Sequence, residues 1–213
     1  MTEVTTVDHV VIRFAGDSGD GMQLTGDRFT HDTAVAGNDF STLPNFPAEI
    51  RAPAGTVAGV SSFQLHFADF DIRTPGDRPD VLVAMNPAAL KANLGDLPRG
   101  GLIIADTADF TPRNLAKVGY TADPLTDGSL SDYQVHALDL SGQASAAVAA
   151  LGLGRKEAAR TKNMYALGLL DWLYGRPTEN TIAFLETKFA TAPQIRDANI
   201  AALKAGYAFG ETT

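Results

Sequence analysis

Gly16-Asp17-Ser18-Gly19-Asp20-Gly21 lies between an apolar run, His9-Val10-Val11-Ile12-Arg13-Phe14-Ala15, and a helix-like segment from Met22 to Ala36. Strand, glycine turn and helix in that order make a phosphate-sized cradle. The first N–H groups of a helix lack intrahelical partners and sit at the positive end of its dipole. The glycines let a ligand come close to the backbone. Three cofactors can be read into this loop. A dinucleotide fingerprint runs G-x-G-x-x-G, whereas the spacing here is reversed; Asp39, near the ribose-binding distance, reads better as a turn residue before the next strand. A P-loop needs a lysine at the helix start, and no lysine precedes Lys91, so that site is excluded. Gly19-Asp20-Gly21 with Asn45 imitates the Gly-Asp-Gly…Asn pattern of thiamine diphosphate sites, but the spacing is short and Asn45 stands between Pro44 and Pro47. The reading without a ligand is a tight turn in which Asp17, Ser18 or Asp20 caps the helix. Two aspartates beside the cradle repel a phosphate, so a bound anion needs cations; Arg13, Arg28 and Arg51 are the nearest in sequence.

The elements that must position this loop follow from periodicity. Val10–Phe14, Ser61–Phe67, Val81–Met85, Leu102–Ala105 and Gln134–Leu138 read as strands. Ser61–Phe67 alternates and predicts a half-buried strand near an edge. Val81–Met85 and Leu102–Ala105 are apolar throughout, as in central parallel strands covered on both faces. In the first helix Met22, Gly26, Phe29 and Thr33 share a face, and Gly26 permits close packing on the sheet. Pro87 opens a short helix, with Asn86 as its N-cap. Ser141 is expected to cap Gln143–Leu151, Thr178 to cap a helix carrying Ile182, Leu185 and Phe189, and Pro193 to open the last helix. Lys162–Tyr174 is apolar nearly all round and predicts a buried helix. The alternation predicts a Rossmann-like, three-layer α/β/α fold with a mostly parallel sheet and a helical C-terminal third. Thr42–Gly59 and Asp106–Asp132 remain as long irregular stretches, and stretches of that length are usually functional or interfacial.

The chain has 213 residues and a formal net charge of −8, which argues against nonspecific nucleic-acid binding. No run is long enough to span a bilayer and Met1–His9 carries no signal-peptide pattern, so a cytoplasmic protein is expected. With no cysteine, the chain can form no disulfide, thiolate zinc site or cysteine-held iron–sulfur cluster. His9, His31, His66 and His136 are far apart, so a metal site is not expected. No local spacing pairs a nucleophile with a general base, which disfavours a free-standing hydrolase or transferase and leaves the catalytic set empty.

Beyond the loop, Pro44-Asn45-Phe46-Pro47-Ala48-Glu49-Ile50-Arg51-Ala52-Pro53-Ala54-Gly55 precedes the alternating strand. Further on come Asp80-Val81-Leu82-Val83-Ala84-Met85-Asn86-Pro87-Ala88-Ala89-Leu90, then Leu97-Pro98-Arg99-Gly100-Gly101, then Lys162-Asn163-Met164-Tyr165-Ala166-Leu167-Gly168. Together they resemble the gamma domain of 2-oxoacid:ferredoxin oxidoreductases over essentially the whole chain, with 1–213 as one gamma-type domain. The wording resembles most the 2-oxoglutarate enzymes whose alpha subunit begins with a fused gamma domain. Gly16–Gly21 stands where many relatives have Gly-x-Gly-Gly-Gln-Gly, and Arg51-Ala52-Pro53 where many have Arg-Gly-Gly.

The resemblance implies oxidative decarboxylation of a 2-oxoacid on thiamine diphosphate. Electrons leave through 4Fe-4S clusters to ferredoxin, and the acyl group passes to coenzyme A. The gamma domain is the part implicated in contacting coenzyme A. Thiamine, magnesium and clusters then belong to partner domains, namely a thiamine-binding alpha domain and a beta subunit, and the chain alone is inactive. The resemblance assigns Gly16, Ser18, Gly19, Asp20 and Gly21 to the coenzyme A diphosphate loop, Glu49 and Arg51 to the facing loop, and Asn163 to the same cleft. Gly210–Thr213 falls about where a linker to the thiamine domain would begin, so an excised domain or a separately encoded subunit is expected; a homodimer is compatible with either. The other readings are a stand-alone Rossmann-like nucleotide-binding oxidoreductase and an assembly module without a ligand.

Overall fold

Six strands meet in one sheet ordered β2-β3-β1-β4-β5-β6 in a computed structural model that describes residues 6–18, 21–47 and 52–212. In chain order the elements are β1 (His9–Asp17), α1 (Met22–Val35), β2 (Asp39–Asn45), β3 (Val60–Ala68), β4 (Val81–Ala84), α2 (Pro87–Asn93), β5 (Leu102–Asp106), α3 (Pro112–Lys117), β6 (Gln134–Leu138), α4 (Leu140–Ala147), α5 (Arg155–Ala159), α6 (Lys162–Leu173), α7 (Glu179–Lys188) and α8 (Pro193–Thr212). β1, β4, β5 and β6 run parallel, whereas β3 is antiparallel to both β1 and β2. The sheet is therefore mixed but mostly parallel, and the α/β fold agrees with the periodicity.

The two faces of the central strands feed different cores. Ile12, Phe14, Phe63, Leu65 and Val83 pack with Phe29 of α1, Leu167 and Leu170 of α6 and Leu203 of α8. Ala15, Leu82, Ala84 and Ile103 pack on the other side with Leu90 of α2 and Leu115 of α3. Gly26 packs as expected, since a Cβ there would lie 2.1 Å from the Phe63 ring. The same logic joins α6 to α8. A Cβ on Gly168 would lie 2.0 Å from the Leu203 carbonyl oxygen, and one on Gly206 would lie 1.9 Å from that of Tyr165, so the two helices touch backbone to backbone.

Six local expectations are corrected. Asp39 begins an edge strand rather than sitting in a turn, and Thr42–Asn45 pair with β3 instead of forming loop. β3 is consequently an inner strand. Its polar face is buried too: Gln64, 2% exposed, accepts from Arg13 and donates to the Pro75 and Gly76 carbonyls. The Asp106–Asp132 stretch holds α3, capped by Thr111. Asp139, not Ser141, caps α4, and the Ser141 hydroxyl donates to Asp106 at 2.5 Å. Asn86 caps α2 as expected, accepting from Ala89 N at 2.8 Å with Pro87 next. Thr178 precedes α7, but its side chain makes no capping bond.

A polar cluster is sealed beneath α7. Asp32 and Asp171 are fully buried; Thr181 donates to Asp32 Oδ2 at 2.6 Å, while neither Asp171 oxygen has a partner among the described residues. Burial, reinforced by the Asp32 charge and opposed by Arg176, pushes Asp171 up to about 9.

Candidate functional site

In parallel α/β sheets, ligands gather at the carboxyl ends of neighbouring strands whose following helices go to opposite faces. β1 and β4 are such a pair. β1 leads into α1 on the α6–α8 side, and β4 leads into α2 on the α3 side. The glycine loop leaves β1 at this point. The middle of the loop, Gly19 and Asp20, lies outside the described residues, as do Glu49 and Arg51 of the facing segment. Gly16, Ser18, Gly21 and Asn163 can be placed.

Gly16, next to last in β1, sits in tight quarters: a Cβ would meet Met22 Sδ at 3.1 Å and Met85 Cβ at 3.4 Å. Gly21 is the N-cap of α1 with φ 84°, in the left-handed region that glycine adopts without strain, and no side chain among the described residues caps the helix there. The start of α1 thus keeps the dipole and the backbone donors that suit an anion. Gln23 ties this first turn to β3, donating to the Ser62 carbonyl at 3.0 Å.

Asn163 belongs to the first turn of α6, yet it meets the loop: its Nδ2 would lie 2.9 Å from a Cβ on Gly21. It is 7% exposed, and its Oδ1 has no partner among the described residues. The structure therefore brings together Gly21 and Asn163, which are 142 positions apart in sequence (163 − 21). Asn86 stays out of this set, because capping α2 uses its side chain.

The aspartate problem resolves in part. Asp17 turns away from the loop and accepts the Gly55 amide with both carboxylate oxygens, at 2.9 and 2.8 Å. Beside it Ser18 N donates to the Gly59 carbonyl at 2.9 Å. Two of the expected cations are committed elsewhere. Arg13 is held by Gln64, Asn93 and Asp96, and the Arg28 guanidinium lies 3.9 Å over the Phe184 ring. A different group of cations leads into α6: Arg155, Lys156 and Arg160 are exposed and Lys162 is half-buried, all within eight residues of Asn163. The sequence signal for them was the density of basic residues in Arg155-Lys156-Glu157-Ala158-Ala159-Arg160-Thr161-Lys162. Among the described residues no cluster of three or more acidic, histidine or cysteine side chains could hold a metal, and no helix is long and apolar enough to cross a membrane.

The family model for pyruvate ferredoxin/flavodoxin oxidoreductase matches residues 11–209. The chain is 62% identical over 207 residues to the 2-oxoglutarate oxidoreductase subunit KorA of Mycobacterium tuberculosis, covering 97% of this chain and 32% of that one. It is 32% identical over 117 residues to the ketoisovalerate oxidoreductase subunit VorA of Methanothermobacter marburgensis, covering 53% of this chain and 23% of that one. The chain thus spans a third or less of the length of these relatives. Among solved structures, the 2-oxoglutarate:ferredoxin oxidoreductase of Magnetococcus marinus, with 2-oxoglutarate, coenzyme A and succinyl-CoA bound, superimposes with a TM-score of 0.73 at 23% identity, over 98% of this chain and 32% of that one. The pyruvate oxidoreductase subunit PORC of Thermotoga maritima gives 0.59 at 19% identity, over 95% of this chain and 97% of that one. These two likenesses establish a shared fold.

Proposed function

This chain belongs to the pyruvate ferredoxin/flavodoxin oxidoreductase family, and from that premise we propose that it is the gamma domain of a thiamine-dependent 2-oxoacid:ferredoxin oxidoreductase acting on 2-oxoglutarate. In this reading the complex oxidatively decarboxylates the 2-oxoacid to its acyl-CoA and sends the electrons to ferredoxin. Thiamine diphosphate, magnesium and 4Fe-4S clusters reside in partner domains, an alpha domain and a beta subunit, which fits a chain without cysteine. The Mycobacterium relative supports the choice of 2-oxoglutarate. The same reading puts the complex in the cytoplasm.

The task of this domain is to hold coenzyme A and to pack on the thiamine domains, without turnover alone. The observation that carries the ligand reading is the uncapped Gly21 turn at the β1–β4 switch point, closed on one side by Asn163. We assign Gly16, Ser18 and Gly21 to the diphosphate cradle, with Gly19 and Asp20 completing it and Glu49, Arg51 and Asn163 at its margins. The backbone donors at the start of α1 suit a pyrophosphate. The basic residues before α6 suit the third phosphate of coenzyme A. Packing on partner domains is supported by exposed apolar side chains on and just beyond the sheet edge: Phe40 at 40%, Leu43 at 48% and Phe46 at 67% exposure.

The test is titration of coenzyme A into this chain assembled with its partner subunits, followed by calorimetry. Saturable binding that Gly21→Ala weakens supports the assignment. No binding in the assembled complex overturns it.

A further inference from the structure

Asp17 is the acid that an anion cradle should exclude, yet it stands one residue from Ser18. Its surroundings explain why it is there. The segment Ala52–Gly59 folds on itself: the Thr56 hydroxyl donates to the Pro53 carbonyl at 2.7 Å, and Gly59 N donates to the Thr56 carbonyl at 3.0 Å. This closed turn is fastened to the end of β1 twice, through Asp17 to Gly55 N and through Ser18 N to the Gly59 carbonyl. A third fastening comes from the other layer. Lys117, in the last turn of α3, donates through Nζ to the Ala54 carbonyl, and Nζ lies 3.5 Å from where a Gly55 Cβ would be. An acid and a base from different elements therefore grip adjacent residues of one turn.

We infer that Asp17 is a positioning residue for the cradle: with Lys117 it locks the Ala52–Gly59 turn against the end of β1 and so fixes the backbone at Ser18, where the glycine loop begins. The functional half of this inference rests on the coenzyme A reading above. Ser18 N is held by the Gly59 carbonyl of that turn, so releasing the turn frees the first backbone donor of the loop. A carboxylate is the group the geometry requires. Both its oxygens lie within 2.9 Å of the same N–H, and an asparagine in either orientation would face that donor with its own NH2 and keep a single neutral acceptor.

The experiment uses Asp17→Asn and Lys117→Met. Hydrogen exchange of the 52–60 segment is read in the chain itself, and coenzyme A kinetics are read in the assembled enzyme. Asp17→Asn accelerates exchange in that segment roughly tenfold with the core strands unchanged. It raises the KM for coenzyme A on the order of fivefold while kcat at saturating coenzyme A stays within about twofold. Lys117→Met acts in the same direction, and the double variant falls short of additive because both side chains hold one turn. Unchanged exchange in Asp17→Asn overturns the inference, as does faster exchange with an unchanged KM. If Gly21→Ala raises the KM and Asp17→Asn does not, the coenzyme A reading stands and this inference alone falls. If neither variant moves the KM, both fall.

Discussion

Gly21 and Asn163 exclude each other's enlargement: the space a Cβ would need on Gly21 is within 2.9 Å of the Asn163 amide nitrogen. The start of α1 is shaped by a residue of α6, so the cradle depends on a helix far along the chain.

Gly21→Ala carries two separable penalties, and a second substitution separates them. The left-handed φ of 84° costs a non-glycine residue about 1–2 kcal/mol, and contact with Asn163 adds to it. Gly21→Ala is expected to lower Tm and weaken coenzyme A binding. Adding Asn163→Ala restores part of the Tm and none of the conformational penalty. A double-mutant cycle by thermal unfolding checks this; full restoration would show that φ carries no cost.

The helix pair α6–α8 should tolerate no side chain at its crossing. Gly206→Ala places a methyl group on the Tyr165 carbonyl, and Gly168→Ala one on that of Leu203. Overpacking of this kind costs typically 1–3 kcal/mol, and backbone neighbours cannot rotate away. Denaturant unfolding of each variant should show a loss at or above the upper end of that range. A change below about 0.5 kcal/mol would refute the contact.

Asp171 predicts a pH dependence. Its folded value is pushed up to about 9 from 3.8, so the folded state holds a proton that the unfolded state releases. The contribution is fully present below about pH 4 and is lost as pH rises toward 9, at no more than about 1.4 kcal/mol per pH unit. Asp171→Asn removes this slope. The variant should match the parent at low pH and exceed it in stability at pH 8–9, as read by denaturant titration across the range. Parallel pH profiles would sink the prediction.

The basic residues before α6 make the ligand reading salt-dependent. Replacing Arg155, Lys156 and Arg160 together by serine should weaken coenzyme A binding roughly three- to tenfold at low ionic strength, and less at high salt, because exposed charges are screened within about 10 Å. Isothermal titration at two salt concentrations reads both effects. Equal affinity at low salt would remove these residues from the site.

Asn86 serves as the contrast. Its side chain caps α2 and is used up in doing so. Asn86→Ala should cost about 1 kcal/mol of stability and leave coenzyme A affinity unchanged. A loss of affinity at constant stability would place Asn86 in the ligand site.

What the sequence revealed, and what it hid, follows from the range of the interactions. The strand–glycine–helix order around Gly16–Gly21, the apolar strands Val81–Ala84 and Leu102–Asp106, and the Asn86-Pro87 helix start were legible because their signals are local. The edge strand β2 was not. Asp39-Phe40-Ser41-Thr42-Leu43-Pro44-Asn45 has weak strand propensity, and its extended form comes from pairing with β3. Ser141 and Asp139 are both good cap residues two positions apart. Asp106, which lies 35 residues earlier, decides between them by engaging the Ser141 hydroxyl. The partner of Asp17 is 38 residues away, so the acid looked like an obstacle to anion binding until the fold placed Gly55 against it. A separation of 83 residues hid the commitment of Arg13 to Asp96.

The backbone contact between α6 and α8 also constrains descent. A poorly packed side chain can be relieved by shrinking its neighbour, so most core positions drift in compensating pairs. Gly168 and Gly206 face carbonyl groups, which no substitution makes smaller. Replacing either glycine must shift one helix against the other, and α6 carries Asn163 at its head. Two glycines remote from the cradle therefore hold one of its walls in place.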